Sequence, residues 1–167
     1  MNQMISKQVR ILALAPTARG FGYCVMENNV MLECGHKEVW GNKNVKSLSK
    51  IKKLMKQFLP DVLVLQDVNA EGCRRVRRTK VLQRKIIKLA TYEKCKVTLF
   101  SGKVLRVTLL GDIQGTKHEM AETLAKIFPV ELATKLPRKR RAYDSEDGRM
   151  DIFEAVALAV VFWMKLK

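Results

Sequence analysis

The stretch VRILALAPTARGFGYCVMENNVMLECGHKEV, residues 9–39, decides the fold class. Residues 9–16 (VRILALAP) are an apolar run with β-branched members that ends on Pro16, which reads as a buried strand. The turn Thr17-Ala18-Arg19-Gly20 leads into a second strand at residues 20–27 (GFGYCVME). Asn28-Asn29 is a two-residue turn signal that joins it to a third strand around residues 30–39. Two short turns in succession make an antiparallel meander.

Beyond this stretch the hydrophobic period changes. Leu48, Ile51, Leu54, Met55 and Phe58 form one stripe of an amphipathic helix, which Pro60 closes. Residues 61–67 (DVLVLQD) read as a fourth, buried strand, residues 75–93 as a long helix, and residues 96–100 (KVTLF) as a fifth strand. Short helices are predicted at 102–110 and 116–128, then a loop carrying Pro129 and Pro137, and a closing helix at 147–165. The result is an α/β fold in a single domain spanning residues 1–167. Its mixed five-stranded sheet has three antiparallel strands, then α/β alternation, and is flanked by helices. In such sheets chemistry collects at the carboxyl ends of the first and fourth strands.

A chain of 167 residues suits one domain, and 47% hydrophobic with 29% charged residues argues against disorder. The longest uncharged apolar run, residues 155–164, is well short of the roughly 18–20 residues a bilayer span needs. The N-terminal MNQMISKQVR lacks the apolar segment of a signal peptide, so a soluble, cytoplasmic protein with no membrane partner is expected. Cys24, Cys34, Cys73 and Cys95 form no C-x-x-C pair, so they read as reduced, mostly buried thiols rather than zinc ligands.

Charge is the strongest compositional fact: 32 Lys+Arg against 16 Asp+Glu give a net +16. Self-repulsion of that size is best relieved by a polyanion, and nucleic acid leads because each cation on a phosphate releases a counterion. Arg74, Arg75, Arg77, Arg78, Lys80, Arg84, Lys85 and Lys88 fall within fifteen positions that hold no acid, while Leu82, Ile86 and Leu89 keep one helix face apolar. Solvated faces normally mix signs, so phosphate contact is favoured. Residues 135–141 (KLPRKRR) add Arg138, Lys139, Arg140 and Arg141 in the loop before the last helix, where backbone tracking suits them better than nuclear import. Few candidate exposed aromatics, Trp40, Tyr92, Tyr143 and Trp163, lower the odds of single-strand stacking and favour duplex or branched substrates. GDIQGTK, residues 111–117, lacks the glycine spacing and strand–loop–helix context of a nucleotide-binding loop. His118, at a helix start, reads as a surface or capping residue before a general base.

Four segments share a resemblance: ILALAP at residues 11–16, the turn ending Arg19-Gly20-Phe21-Gly22-Tyr23, PDVLVLQD at 60–67 and DIFEAVALAV at 151–160. In this order, over nearly the whole chain, they resemble the ribonuclease H-like fold and specifically the RuvC-type Holliday-junction resolvases. The resemblance implies a structure-selective DNA endonuclease with four acidic side chains around two divalent metals, Mg²⁺ or Mn²⁺. One metal activates a water and the other stabilises the leaving oxygen. Asp151 and Glu154 match the family's last acidic pair and are the metal-ligand candidates, spaced to share one helix face, with Asp147 one turn earlier.

The other two positions depart from the pattern. Ala15 stands where the family has its first-strand Asp, and Gln66 where it has its fourth-strand Glu. Neither holds a dication tightly, and several kcal/mol of lost charge stabilisation, at about 1.4 kcal/mol per tenfold, removes most of the rate. The resemblance therefore implies a catalytically weakened relative. Asp67 is a substitute for Gln66 only if a bulge or strand end redirects it, since adjacent strand residues point to opposite faces. Lys103, Arg106 and Lys117 fall where the family places basic residues near the scissile phosphate, and Lys117 joins the catalytic candidates. Two alternatives stay open: an active metal-dependent nuclease using Asp67, Asp151, Glu154 and Asp147, and an RNA- or ribosome-directed member of the superfamily. A homodimer seam along the long basic helix suits a two-fold substrate, though its like-sign charge argues against an extensive one.

Overall fold

In this computed structural model the described residues are 8–70, 73 and 75–166. The strands β1 (Arg10–Pro16), β2 (Gly20–Glu27), β3 (Val30–Glu38), β4 (Val62–Gln66) and β5 (Lys96–Phe100) form one sheet in the order β3-β2-β1-β4-β5. β1, β2 and β3 pair antiparallel, as the two short turns require; β4 joins β1 and β5 joins β4 in parallel. The expected mixed sheet is formed.

Side-chain alternation divides the core in two. Leu12, Leu14, Leu63 and Leu65 face α1 (Lys43–Phe58) and α2 (Arg77–Tyr92), whose Ile51, Leu54, Met55, Leu82, Ile86 and Ala90 complete that layer. Ile11, Ala13, Ala15, Val62 and Val64 face the opposite way, toward α6 (Met150–Leu166). α3 (Gly102–Leu110) and α4 (Lys117–Ile127) cover the far side of α6, which is why α6 is buried almost all round and reads as a near-continuous apolar run.

Two expectations need correction. Pro129 does not sit in a loop but opens a short helix, α5 (Pro129–Leu132), followed by a 3₁₀ turn at Ala133–Lys135. Proline is tolerated at a first helical position, and fully buried Leu132 anchors the turn. The last helix starts at Met150 rather than at residue 147. Asp147 spends itself locally, accepting the Arg149 backbone N–H at 2.9 Å while its carbonyl accepts from Met150. It therefore does not share the face of Asp151 and Glu154.

Gly22 on β2 fixes where α6 begins. A Cβ there would run into the Asp151 carbonyl, so only glycine lets helix and strand backbones approach this closely. The start of α6 is thereby pressed against the carboxyl end of β1. No helix among the described residues is long and apolar enough to cross a membrane.

Candidate functional site

In the parallel β1–β4 pair Leu14 lies opposite Leu65, so the next residues, Ala15 and Gln66, lie at the carboxyl ends of neighbouring strands. Between those ends and α6 lies a cavity of about 70 Å³, lined by Ala15, Gln66, Arg75, Arg106, Lys117 and Glu154 together with apolar neighbours. Glu154 is the anchor. Arg75 Nη2 donates to Glu154 Oε2 at 2.9 Å and to Gln66 Oε1 at 3.0 Å. Lys117 Nζ lies 2.8 Å from Glu154 Oε1 and 3.3 Å from Glu146 Oε1. Burial pushes the Glu154 carboxyl up, but Arg75 and Lys117 together outweigh it and hold it below the usual carboxylate range.

Asp151, three residues earlier on α6, meets different surroundings. It is 4% exposed, accepts the Thr17 hydroxyl at 2.9 Å, and lies 3.5 Å from Arg19 Nη2. Burial pushes its carboxyl up to about 6; the Thr17 bond opposes this and the Glu154 charge adds to it. Asp151 is not among the residues lining the cavity.

The remaining candidates separate. Asp67 follows β4 and accepts the Asn69 N–H at 3.0 Å in a turn, outside the cavity lining. Asp147 pairs with Arg149, whose Nη2 lies at 2.7 Å, and this bond holds its carboxyl down at about 2. His118 pairs with Glu122 at 2.8 Å across one turn of α4. Arg78 is committed internally, donating to the Thr17 carbonyl at 2.9 Å and to Asn44 Oδ1 at 3.0 Å. Arg77, Arg84, Lys85, Lys88 and Lys103 are exposed, and Lys80 is half-buried. Arg106 lines the cavity while its Nε donates to the Ile113 carbonyl at 2.9 Å. Arg138, Lys139 and Arg140 are exposed, and Arg141 Nη1 donates to the Tyr143 hydroxyl at 2.7 Å. Arg74 lies outside the described residues. Residues 111–117 join two helices, Gly111 closing α3 in the left-handed region and Thr116 capping α4. The four cysteines are free thiols.

Sequence reasoning missed two features. Thr17 and Arg19, read only as a turn, hold Asp151; their place just after Ala15 was the available signal. Arg75, read as one member of a basic run, bridges the β4 end to α6.

This donor set does not fit a pair of divalent metals. Among the described residues no group of three or more His, Cys, Asp or Glu side chains is placed to hold an ion. Both Glu154 oxygens are taken by cations, Asp151 is bound to Thr17, and Ala15 and Gln66 bring no charge. Hard dications need several anionic oxygens converging on one point.

No protein-family model matches the chain, and no curated protein matches it in sequence. Solved structures do. RuvC of Thermus thermophilus superposes with a TM-score of 0.68 at 10% identity, over 95% of this chain and 96% of that one. T. thermophilus RuvC in complex with Holliday junction substrate gives 0.68 at 12% identity, with the same coverage of 95% and 96%. The yeast mitochondrial Holliday junction resolvase Ydc2 gives 0.65 at 14% identity, over 93% of this chain and 78% of that one. At such identities the likeness speaks to architecture: the chain has a RuvC-like, ribonuclease H-like α/β fold.

Proposed function

We propose that this chain is a RuvC-like DNA-binding protein that engages duplex or branched DNA through its phosphates, with metal-dependent cleavage lost or strongly weakened. One observation carries the reading: where β1 and β4 end, the two positions that the resemblance would fill with acids hold Ala15 and Gln66, while Arg75, Arg106 and Lys117 line the cavity. Such a site attracts a polyanion without concentrating dications. A solved RuvC of the same fold is in complex with Holliday junction substrate, which supports DNA as the partner.

The net charge of +16 supplies sequence-independent affinity, and exposed Arg77, Arg84, Lys103 and residues 138–140 supply candidate phosphate contacts. Trp40, Tyr92 and Tyr143 are exposed but belong to separate elements or loops, and Trp163 packs against the core, so no stacking platform among the described residues supports single-strand readout.

The test is a titration of a labelled four-way DNA junction against single-stranded DNA and RNA of equal length, over a series of salt concentrations. The junction should bind most tightly, its affinity falling linearly with salt on logarithmic axes, and its strands should be recovered intact. Tighter binding of single strands or RNA, or no binding, would overturn the reading.

A further inference from the structure

We propose that Arg75 and Lys117 turn the cavity into a metal-independent site for one DNA phosphodiester. In this site the guanidinium itself bridges the end of β4 and the last helix. The proposal rests on the DNA-binding reading and adds the ligand group and the side chains that take it.

The geometry of Arg75 is the starting point. A single nitrogen, Nη2, reaches both Gln66 Oε1 at 3.0 Å and Glu154 Oε2 at 2.9 Å. A guanidinium has five N–H donors, and those two bonds use only one nitrogen. The donors on Nε and Nη1 have no partner among the described residues, and the side chain keeps 23% of its surface exposed. Gln66 and Glu154 thus fix the guanidinium through Nη2, and the N–H groups on Nε and Nη1 stay free to donate single, charge-assisted bonds to phosphate oxygens. Lys117 is held in the same way: its ammonium spans Glu154 and Glu146 and keeps half its side-chain surface exposed.

Charge and room agree with this ligand. Three cations, Arg75, Arg106 and Lys117, line the cavity against one carboxylate, Glu154, with Glu146 outside the lining taking a share of Lys117. The cavity volume of about 70 Å³ exceeds what a single water needs. Gly102 at the start of α3 helps keep it open, since a Cβ there would come within 3.3 Å of Gln66 Nε2 and 3.4 Å of Arg106 Nη1.

A phosphate site and a metal site answer oppositely to loss of Glu154. Removing the carboxylate charge strengthens binding of an anion held by cations, whereas it weakens binding that runs through a carboxylate-held dication. The experiment is anisotropy titration of a labelled four-way DNA junction at fixed ionic strength, in EDTA and in Mg²⁺, with the parent chain, Glu154→Gln and Arg75→Gln.

The parent should bind equally in both buffers. Glu154→Gln should tighten binding in EDTA by roughly threefold. Arg75→Gln should weaken it by about tenfold and lower the salt slope by about one. Melting curves accompany each variant, and the parent comparison needs no substitution at all. Binding that requires Mg²⁺, or a Glu154→Gln protein that folds and binds more weakly in EDTA, would overturn the phosphate site while leaving DNA binding intact. Absence of junction binding by the parent in either buffer would overturn the DNA-binding reading itself.

Discussion

Replacing Asp151 by Asn should stabilise the fold at neutral pH. Burial lifts this carboxyl from 3.8 to about 6, so the folded chain binds the proton more tightly than the unfolded one. The stability tied to that proton is fully present below about pH 4 and is lost as pH rises through about 6. At 1.36 kcal/mol per unit, the native state at neutral pH forgoes about 3 kcal/mol by ionising Asp151. The charged groups around it are Arg19, which favours the anion, and Glu154 and Glu146, which oppose it. Asn is neutral and keeps an oxygen to accept the Thr17 hydroxyl, but it gives up the ion pair with Arg19, so about 3 kcal/mol is a ceiling. For a chain of this size that ceiling corresponds to roughly 6–12 °C in Tm. Thermal melts of parent and Asp151→Asn by circular dichroism, at about pH 8 and about pH 4, measure it. The variant should melt higher at the upper pH and level with the parent at the lower. A variant that melts lower than the parent at the upper pH, or an offset that does not shrink on acidification, would refute the reasoning.

Other consequences follow from the same geometry. Gly22→Ala drives a methyl group into the Asp151 carbonyl and should cost at least about 1–3 kcal/mol in denaturant unfolding; an unchanged midpoint would mean that α6 does not pack there. Arg78→Met removes donors to the Thr17 carbonyl and Asn44 and should cost about 1–3 kcal/mol of stability, with the junction salt slope unaltered. A slope lowered by a full unit would instead make Arg78 a phosphate contact. Neutralising Arg138, Lys139 and Arg140 to Gln should leave melting unchanged and reduce the salt slope by up to about three, equally for all DNA sequences. A slope equal to that of the parent would take this loop off the DNA face.

β1, β2 and β4 were legible because they are short, buried apolar runs bounded by turns, and in the folded sheet strand alternation sets Ala15 and Gln66 on the α6 side. The spacing of Asp151 and Glu154 correctly put them on one helix, but spacing says nothing about what that helix meets. Asp151 finds Thr17 and Arg19 from the first turn, which do not offset its burial, while Glu154 finds Arg75 from the loop before α2 and Lys117 from the start of α4, which together do, so the two carboxyls shift in opposite directions. Arg75 and Arg78 look equivalent in a basic run. They diverge because α2 begins at Arg77, leaving Arg75 on the incoming loop toward the cavity and Arg78 on the first turn, against the Thr17 and Ala18 carbonyls. Asp147 was misplaced because a local bond to Arg149 won over continuation of the helix.

The most direct test is cleavage of a labelled four-way DNA junction in Mg²⁺ and in Mn²⁺ by the unaltered chain and by its Ala15→Asp/Gln66→Glu variant. The unaltered chain should bind the junction and leave its strands intact, and the variant, with four acidic groups at the strand ends and α6, should gain metal-dependent cleavage. Metal-dependent turnover by the unaltered chain would contradict this and point to a carboxylate set that includes Asp67.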